Sequence, residues 1–200
     1  IIFNSSLTKY IKNKNTNYHS LNIEKDLFKL KKIFFVTKNL KIIFITGTNG
    51  KTSIAYGAHL LSFINNRSSC YIGTIGFYIN GRKIKNLSNT TPSFMELASL
   101  LNVAANQKIK YAFIETSSIG FKEGRLGNLK YDLCYLTNLQ SDHLDFHKNI
   151  KNYHQSKIDM INTHSKINSN ILVQDKNIYK KISKFRYRIE FLDDFTKSQE

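Results

Sequence analysis

Apolar and polar residues follow each other along the chain in blocks that predict strands and helices in turn. The clearest block is Lys41–Thr46, whose run of four apolar residues is typical of a buried strand. The other predicted strands are 71–75, 110–115, 131–137, 170–173 and 186–192, and the predicted helices are 23–35, 52–64, 92–106, 150–161 and a short one before the last strand. Strands that alternate with helices predict an α/β fold, with a mostly parallel sheet flanked by helices.

Local signals refine this outline. The Asn80-Gly81 pair favours a type I′ turn, so a hairpin is predicted over residues 77–84. Pro92 suits the first turn of the helix that follows it, and Thr91 is expected to cap that helix. The helix after the first strand is expected to turn four apolar residues toward the core, namely Ile54, Ala58, Leu61 and Phe63.

Composition narrows the classes of protein. A chain of 200 residues suits one domain, or one domain with a fragment of another, and a hydrophobic fraction of 41% is enough for a real core. The net charge of +16 suggests nucleic acid, but the lysines are spread along the whole chain, so no nucleic-acid partner is expected. The sequence shows no membrane-spanning run and no signal peptide, which predicts a cytoplasmic protein without membrane insertion. The protein is also expected to be a monomer. Cys70 and Cys134 lie in apolar segments and are expected to be buried thiols.

A glycine-rich loop joins the first strand to its helix. Its residues are Gly47, Thr48, Asn49, Gly50, Lys51 and Thr52. Glycines allow backbone N–H groups to surround a phosphate, a lysine reaches the outer phosphates, and a threonine hydroxyl can bind magnesium. Ile45 stands where the general P-loop pattern has its first glycine, and the alternative is a tight turn with a solvated lysine. The loop predicts a P-loop-type site for ATP and Mg²⁺.

The stretch from Thr46 to Thr52 resembles the phosphate loop of the Mur ligases and of their relatives, the folylpolyglutamate synthases. Thr52 follows the lysine where the synthases usually carry glycine, which favours the Mur ligases. The resemblance covers about residues 41–192 and is to the central ATPase domain. It implies that residues 1–40 are a remnant of an N-terminal region and linker. It also implies that residues 41–200 are a C-terminally truncated central domain, without the C-terminal domain that binds the amino acid.

The resemblance also implies metal-binding and catalytic residues. Glu115 ends a buried strand, where ligands of open α/β sheets gather and a carboxylate can hold magnesium. His143 lies in an Asp-His-Leu-Asp stretch that is similar to a family segment with a metal-binding histidine, although loop histidines are usually solvated. The implied metal ligands are Thr52, Glu115, His143 and Lys157 as a carbamate, and the implied catalytic residues are Lys51, His143 and Lys157.

Contacts to nucleotide and substrate follow from the same resemblance. The implied cofactor-binding residues are Gly47, Thr48, Asn49, Gly50, Lys51, Thr52 and Asn138. The implied substrate-binding residues are Thr90, Thr91, Ser117 and Arg125. The alternatives are that the threonines only cap the next helix and that Arg125 is an ordinary surface arginine. Glu123 replaces a glutamine of the family and would repel an anionic substrate, and Ile119 replaces a histidine.

Lys157 lies inside a predicted helix, where a lysine is usually a solvated charge. The resemblance implies that CO₂ adds to its neutral amine and that the resulting carbamate helps to bind a second magnesium. A free lysine has a pKa near 10.4 and is almost fully charged at pH 7. Burial is expected to favour the neutral amine, and a nearby Glu115 is expected to favour the cation.

The resemblance implies an ATP-dependent amide ligase of peptidoglycan synthesis. Such an enzyme activates UDP-MurNAc-L-Ala-D-Glu as an acyl phosphate and then adds diaminopimelate or lysine. Two alternatives stay open at this point. One is a ligase similar to the folylpolyglutamate synthases, and the other is a catalytically inactive fragment that only binds nucleotide.

Overall fold

A computed structural model describes residues 2–4, 18–20, 39–142, 144–174, 178, 182 and 187–191. The chain divides into two compact units, residues 1–35 and 36–200. In the first unit, β1 (Ile2–Asn4) and β2 (Tyr18–Ser20) form a two-stranded parallel sheet. The predicted helix 23–35 lies outside the described residues, as does nearly all of the predicted short helix before the last strand.

The second unit contains eight strands and five helices within the described ranges. Its strands are β3 (Lys41–Thr46), β4 (Ser69–Gly73), β5 (Gly76–Ile79), β6 (Arg82–Lys85), β7 (Tyr111–Glu115), β8 (Tyr131–Leu136), β9 (Ser165–Val173) and β10 (Tyr187–Phe191). Its helices are α1 (Lys51–Ile64), α2 (Phe94–Asn106), α3 (Ser118–Lys122), α4 (Leu144–His147) and α5 (Ile150–His164).

One eight-stranded sheet organises this unit, in the order β10-β9-β8-β3-β7-β4-β5-β6. The strands from β10 to β4 are parallel to their neighbours, and β5 and β6 add an antiparallel edge. The prediction of an α/β fold with a mostly parallel sheet is therefore confirmed. No helix in the described part of the chain combines the length and the apolar character that a membrane span requires.

Helices cover both faces of the sheet, and the central strand β3 shows how. Ile43 and Ile45 point to one face and pack with Ala55 of α1. Phe44 points to the opposite face, where its ring lies 6.1 Å from that of His164 at the end of α5. A strand with helices on both sides must be apolar on both sides, which explains the uninterrupted apolar run in the sequence.

Several predicted boundaries hold and others do not. The hairpin is confirmed, and Asn80 and Gly81 have φ angles of 47° and 77°, as a type I′ turn requires. The second strand is found at Ser69–Gly73 and ends two residues earlier than predicted, because the chain turns after Gly73 and pairs back antiparallel as β5. The prediction that α1 turns Leu61 and Phe63 to the core is also wrong. Both side chains are exposed, because the helix turns the other side toward the sheet.

The capping residue of α2 differs from the prediction. Ser93, and not Thr91, is the N-cap, and its hydroxyl accepts a hydrogen bond from the Glu96 N–H. Pro92 precedes the cap instead of starting the helix. Thr91 is fully buried and faces the end of β7, so its hydroxyl is engaged elsewhere.

Candidate nucleotide and metal site

The candidate site lies at the carboxyl ends of the central strands of the sheet. β3 has β7 on one side and β8 on the other, and all three strands run in the same direction, so their carboxyl ends meet. The loop 47–50 leaves β3 there, between the segments that follow β7 and β8. Open α/β sheets bind ligands at such a point, where connections diverge to opposite sides of a strand.

Two glycines give the loop its shape. Gly50 has a φ of 81° and is the N-cap of α1, a conformation that side chains disfavour. Gly47 has a φ of 141°, and a Cβ there would overlap the hydroxyl of Thr137 and lie 3.0 Å from the Asn138 backbone nitrogen. The loop therefore needs glycine at Gly47 both for its conformation and for its close contact with the segment after β8.

Asn138 clamps the loop with its side-chain amide. Its Oδ1 accepts hydrogen bonds from the N–H groups of Thr48 at 3.2 Å and Asn49 at 2.9 Å, and its Nδ2 donates to the Asn49 carbonyl at 3.1 Å. Gln140 adds a contact, since its Oε1 accepts from the Asn49 Nδ2 at 2.7 Å. The predicted cofactor-binding residue Asn138 thus lies directly against the loop.

Lys51 folds back over the loop. Its Nζ donates to the carbonyl oxygens of Gly47 at 3.1 Å and Thr48 at 2.8 Å. Burial lowers the pKa of Lys51, while the nearby carboxylates of Glu115 and Asp142 act in the opposite direction. The ammonium group is therefore held within the loop, close to two carboxylates.

Glu115 is fully buried, and hydrogen bonds reach both of its carboxylate oxygens. Oε2 accepts from the hydroxyls of Thr52 at 2.9 Å and Thr74 at 3.2 Å. Oε1 accepts from the Thr74 N–H at 3.1 Å and from the hydroxyl of Tyr71. Thr52 and Glu115, which were predicted to share a magnesium ion, are thus brought together.

The donor set suits magnesium, which binds proteins through one or two carboxylates plus phosphate oxygens and water. A carboxylate and a hydroxyl, from Glu115 and Thr52, meet beside the loop. Across the described residues, which exclude His143, no three His, Cys, Asp or Glu side chains gather into a metal-binding group. The fit therefore depends on phosphate oxygens to complete the coordination.

Lys157 is fully buried behind the loop and is not a solvated lysine. Its Nζ donates to the Gly47 carbonyl at 3.0 Å and lies 4.5 Å from the centre of the Tyr153 ring. Burial and, to a smaller extent, the charge of Lys51 lower the pKa of Lys157 to about 7, while Asp142 acts in the opposite direction. The carboxylate that favours the cation is therefore Asp142, and the expectation that Glu115 does so is wrong.

The residues predicted to bind the substrate form a second group beside Glu115. The Thr91 hydroxyl donates to the Glu115 carbonyl at 3.0 Å and accepts from the Ser117 N–H at 2.9 Å. Arg125 donates to the Thr91 carbonyl at 2.8 Å and forms an ion pair with Glu123. Glu123 thus pairs with the arginine in this arrangement.

Thr90 and Ser117 complete this group. The Thr90 hydroxyl, which is half-buried, shares a hydrogen bond of 3.0 Å with the Thr74 hydroxyl. The Ser117 hydroxyl caps α3 by accepting from the Gly120 N–H at 3.0 Å. Hydrogen bonds therefore link Thr90 to Thr74, and Ser117 and Arg125 to Thr91. The proposed contacts of the four predicted substrate residues to a substrate stay predictions.

Four residues near the site were not singled out from the sequence: Tyr71, Asp142, Tyr153 and Gln140. Tyr71 had the signal of an ordinary buried strand residue, and nothing local marked its hydroxyl as a partner of Glu115. Asp142 is the first residue of the Asp-His-Leu-Asp stretch and Gln140 lies two residues before it, so the polar residues of that motif were an available signal. The two cysteines are buried and free, as predicted.

Comparison with known proteins supports the same assignment of family. Residues 45–193 match the family model described as the Mur ligase middle domain. A UDP-N-acetylmuramoyl-L-alanyl-D-glutamate–2,6-diaminopimelate ligase of Helicobacter pylori is 42% identical over 147 residues, which are 72% of this chain and 33% of the relative. The corresponding L-lysine ligase of Staphylococcus haemolyticus is 39% identical over 123 residues, or 62% of this chain and 25% of the relative.

A solved structure shows the same fold. The MurF ligase of Thermotoga maritima, determined in complex with ADP, superposes with a TM-score of 0.61 at 18% identity, over 90% of this chain and 39% of that one. In the two sequence comparisons above, this chain spans a quarter to a third of the length of the relatives it matches. Since the family model covers most of the sequence, this chain belongs to the Mur ligase family and carries its middle domain.

Proposed function

We propose that this chain is the ATP-binding part of an amide ligase that adds diaminopimelate or lysine to UDP-MurNAc-L-Ala-D-Glu in peptidoglycan synthesis. The names of the relatives support this substrate class, and they differ in the amino acid that is added. The observation that carries the proposal is the buried Glu115 carboxylate, 2.9 Å from the Thr52 hydroxyl beside a lysine-bearing glycine loop.

The reaction proposed for the complete enzyme has two steps. A carboxylate oxygen of the substrate attacks the γ-phosphorus of ATP, and the bond to ADP breaks. The amine of the amino acid then attacks the acyl carbon, and inorganic phosphate leaves as the amide forms. Phosphoryl transfer of this kind depends mainly on positioning and on neutralising charge.

The residues of the loop supply both requirements in this proposal. The phosphates are placed at the N-terminus of α1, where the first N–H groups of the helix and its dipole add partial positive charge. Lys51 exchanges its contacts with the loop carbonyls for the outer phosphates. Glu115 and Thr52 would hold magnesium, which neutralises phosphate charge when bound.

Lys157 is proposed to act as a carbamate, with His143 as a further metal ligand. A pKa of about 7 supports this role, because a large share of the amine is neutral at physiological pH and neutral amine is the form that adds CO₂. The modification replaces a buried cation beside Lys51 by an anion, so it relieves repulsion between the two lysines. We assign Thr90, Thr91, Ser117 and Arg125 to the anionic substrate, with Arg125 as the charged contact.

The experiment that tests the proposal is titration calorimetry with Mg-ATP on three proteins. The wild type and Lys151→Ala, which removes an exposed lysine of α5, are expected to bind alike. Lys51→Ala is expected to bind about tenfold more weakly or worse, because it loses a charge-assisted contact to phosphate. Equal affinity of Lys51→Ala and the wild type would refute the nucleotide site.

A second measurement separates the proposed ligase from its rivals. ADP release by the complete enzyme is followed with UDP-MurNAc-L-Ala-D-Glu plus diaminopimelate or lysine, and in parallel with a folate plus glutamate. The proposal expects ADP only with the muramyl substrate. Release with the folate alone would favour a folylpolyglutamate-type ligase, and tight ATP binding without release would favour a chain that only binds nucleotide.

A further inference from the structure

We infer that Tyr71 is a positioning residue for Glu115. The Tyr71 phenol fixes one oxygen of the Glu115 carboxylate, so that the other oxygen faces Thr52 and the metal. This inference rests on the proposed function, because it concerns the metal ligand of that site. It adds a residue that acts through Glu115 and does not itself touch the metal.

The sheet register brings Tyr71 to the carboxylate. Tyr71 of β4 is paired with Phe113 of β7, and Glu115 lies two residues further along β7. Side chains two residues apart in a strand point to the same face, so Tyr71, Phe113 and Glu115 all point toward α1. The Tyr71 side chain is long enough to extend past Phe113, so that its hydroxyl donates to Oε1 of Glu115.

The two carboxylate oxygens have different partners. Oε1 accepts from the Tyr71 hydroxyl and the Thr74 N–H, both of which belong to β4 and the turn after it. Oε2 faces α1 and accepts from the Thr52 hydroxyl, with Thr74 as a second donor. A donor fixed on Oε1 therefore sets the rotation of the carboxylate and leaves Oε2 on the side of the phosphate loop.

The phenol is itself held in place. The Tyr71 ring is fully buried and makes edge-on contacts with the rings of Tyr56 at 5.4 Å and Tyr78 at 5.9 Å. The Ile75 N–H donates to the Tyr71 oxygen at 3.4 Å, so the phenol proton is directed to Glu115.

Gly73 makes room for this contact. A Cβ at Gly73 would overlap both the Glu115 carboxylate and the Tyr71 hydroxyl. The space beside the strand end is thus filled by the tyrosine–glutamate pair. A metal ligand oriented by a buried neighbour in this way loses about 10–100-fold in metal affinity when the neighbour is removed.

The test measures binding of Mn²⁺, as a probe for the magnesium site, by electron paramagnetic resonance in the presence of a non-hydrolysable ATP analogue. Tyr71→Phe keeps the ring and removes the hydroxyl, and it is expected to raise the Kd for Mn²⁺ about tenfold. Tyr78→Phe is the matched control, because it removes a hydroxyl from the same aromatic cluster and none of the hydrogen bonds to Glu115. Its Kd is expected to equal that of the wild type.

A double-mutant cycle with Glu115→Gln distinguishes positioning from a general effect on stability. If Tyr71 acts through Glu115, Tyr71→Phe has little further effect on Mn²⁺ affinity once Glu115 is changed. Equal Mn²⁺ affinity of wild type and Tyr71→Phe, or additive effects in the cycle, would overturn the inference. A wild type that binds no Mn²⁺ with the nucleotide would instead overturn the proposed function.

Discussion

Acid is expected to destabilise this fold through one buried histidine, His59 of α1. Its side chain is fully buried, and both ring nitrogens are hydrogen-bonded. Nε2 accepts from the Gly81 N–H at 3.1 Å, so Nδ1 carries the proton and donates to the Ser69 hydroxyl at 2.9 Å. This network fixes a neutral imidazole, because a second ring proton would point at the Gly81 N–H.

The size of the effect follows from the pKa. Burial lowers the pKa of His59 from 6.5 to about 4, so between these values the unfolded chain binds a proton that the folded chain does not. The stabilisation is therefore fully present above pH 6.5 and is lost as the pH falls toward 4. One pKa unit corresponds to about 1.4 kcal/mol, which gives a loss of about 3 kcal/mol over this interval.

Urea denaturation at a series of pH values from 4 to 8 measures this effect. The wild type is compared with His59→Gln, so that the contributions of the carboxylates cancel in the difference between the two proteins. The stability advantage of the wild type is expected to shrink by about 3 kcal/mol between pH 6.5 and 4. Tyr78→Phe, whose ring lies beside His59, is the control and should follow the wild type. A difference between wild type and His59→Gln that is constant with pH would refute the reasoning.

Two other predictions concern the site itself. With ¹³C-bicarbonate, nuclear magnetic resonance should show a carbamate signal that grows as the pH rises through about 7 and is missing in Lys157→Arg, since CO₂ adds to the neutral Lys157 amine. Any carbamate on the α-amino group is common to both proteins. Identical carbamate signals in the two proteins would refute the assignment. Gly47→Ala should weaken ATP binding about tenfold in calorimetry, because its Cβ would overlap Thr137. Gly57→Ala is the control, since a Cβ there meets open space; it should leave ATP binding unchanged and stabilise the helix by up to about 1 kcal/mol. Unchanged ATP binding by Gly47→Ala would contradict the account of the loop.

The sequence predicts those parts of the site that depend on adjacent residues. The strand, the glycine loop and the start of the helix are continuous in the chain, and their chemistry is local, so Lys41–Thr46 and the loop were placed correctly. The type I′ turn at Asn80 is another local signal that holds. Parallel pairing was also accessible, because strands separated by helices have few other arrangements.

The remainder depends on contacts between distant residues. The hydroxyl of Tyr71 meets a carboxylate 44 positions later, and Lys157 meets the loop carbonyl of Gly47 across 110 positions. No local pattern carries these pairings. Thr91 is a second example. Its neighbours in the sequence predict a helix cap, but its hydroxyl donates to the Glu115 carbonyl at the end of β7, and Ser93 caps the helix.

The position of β3 has a consequence for how the chain folds as it is synthesised. Both neighbours of β3 in the sheet, β7 and β8, come later in the chain, from residue 111 onward. In the folded protein β3 is buried from Ile42 to Thr46. Until the ribosome has released β7 and β8, both edges of β3 are unpaired and its apolar side chains are exposed on both faces. Exposed apolar strands favour aggregation, so we expect β3 to be protected from it only once β7 and β8 have paired with it.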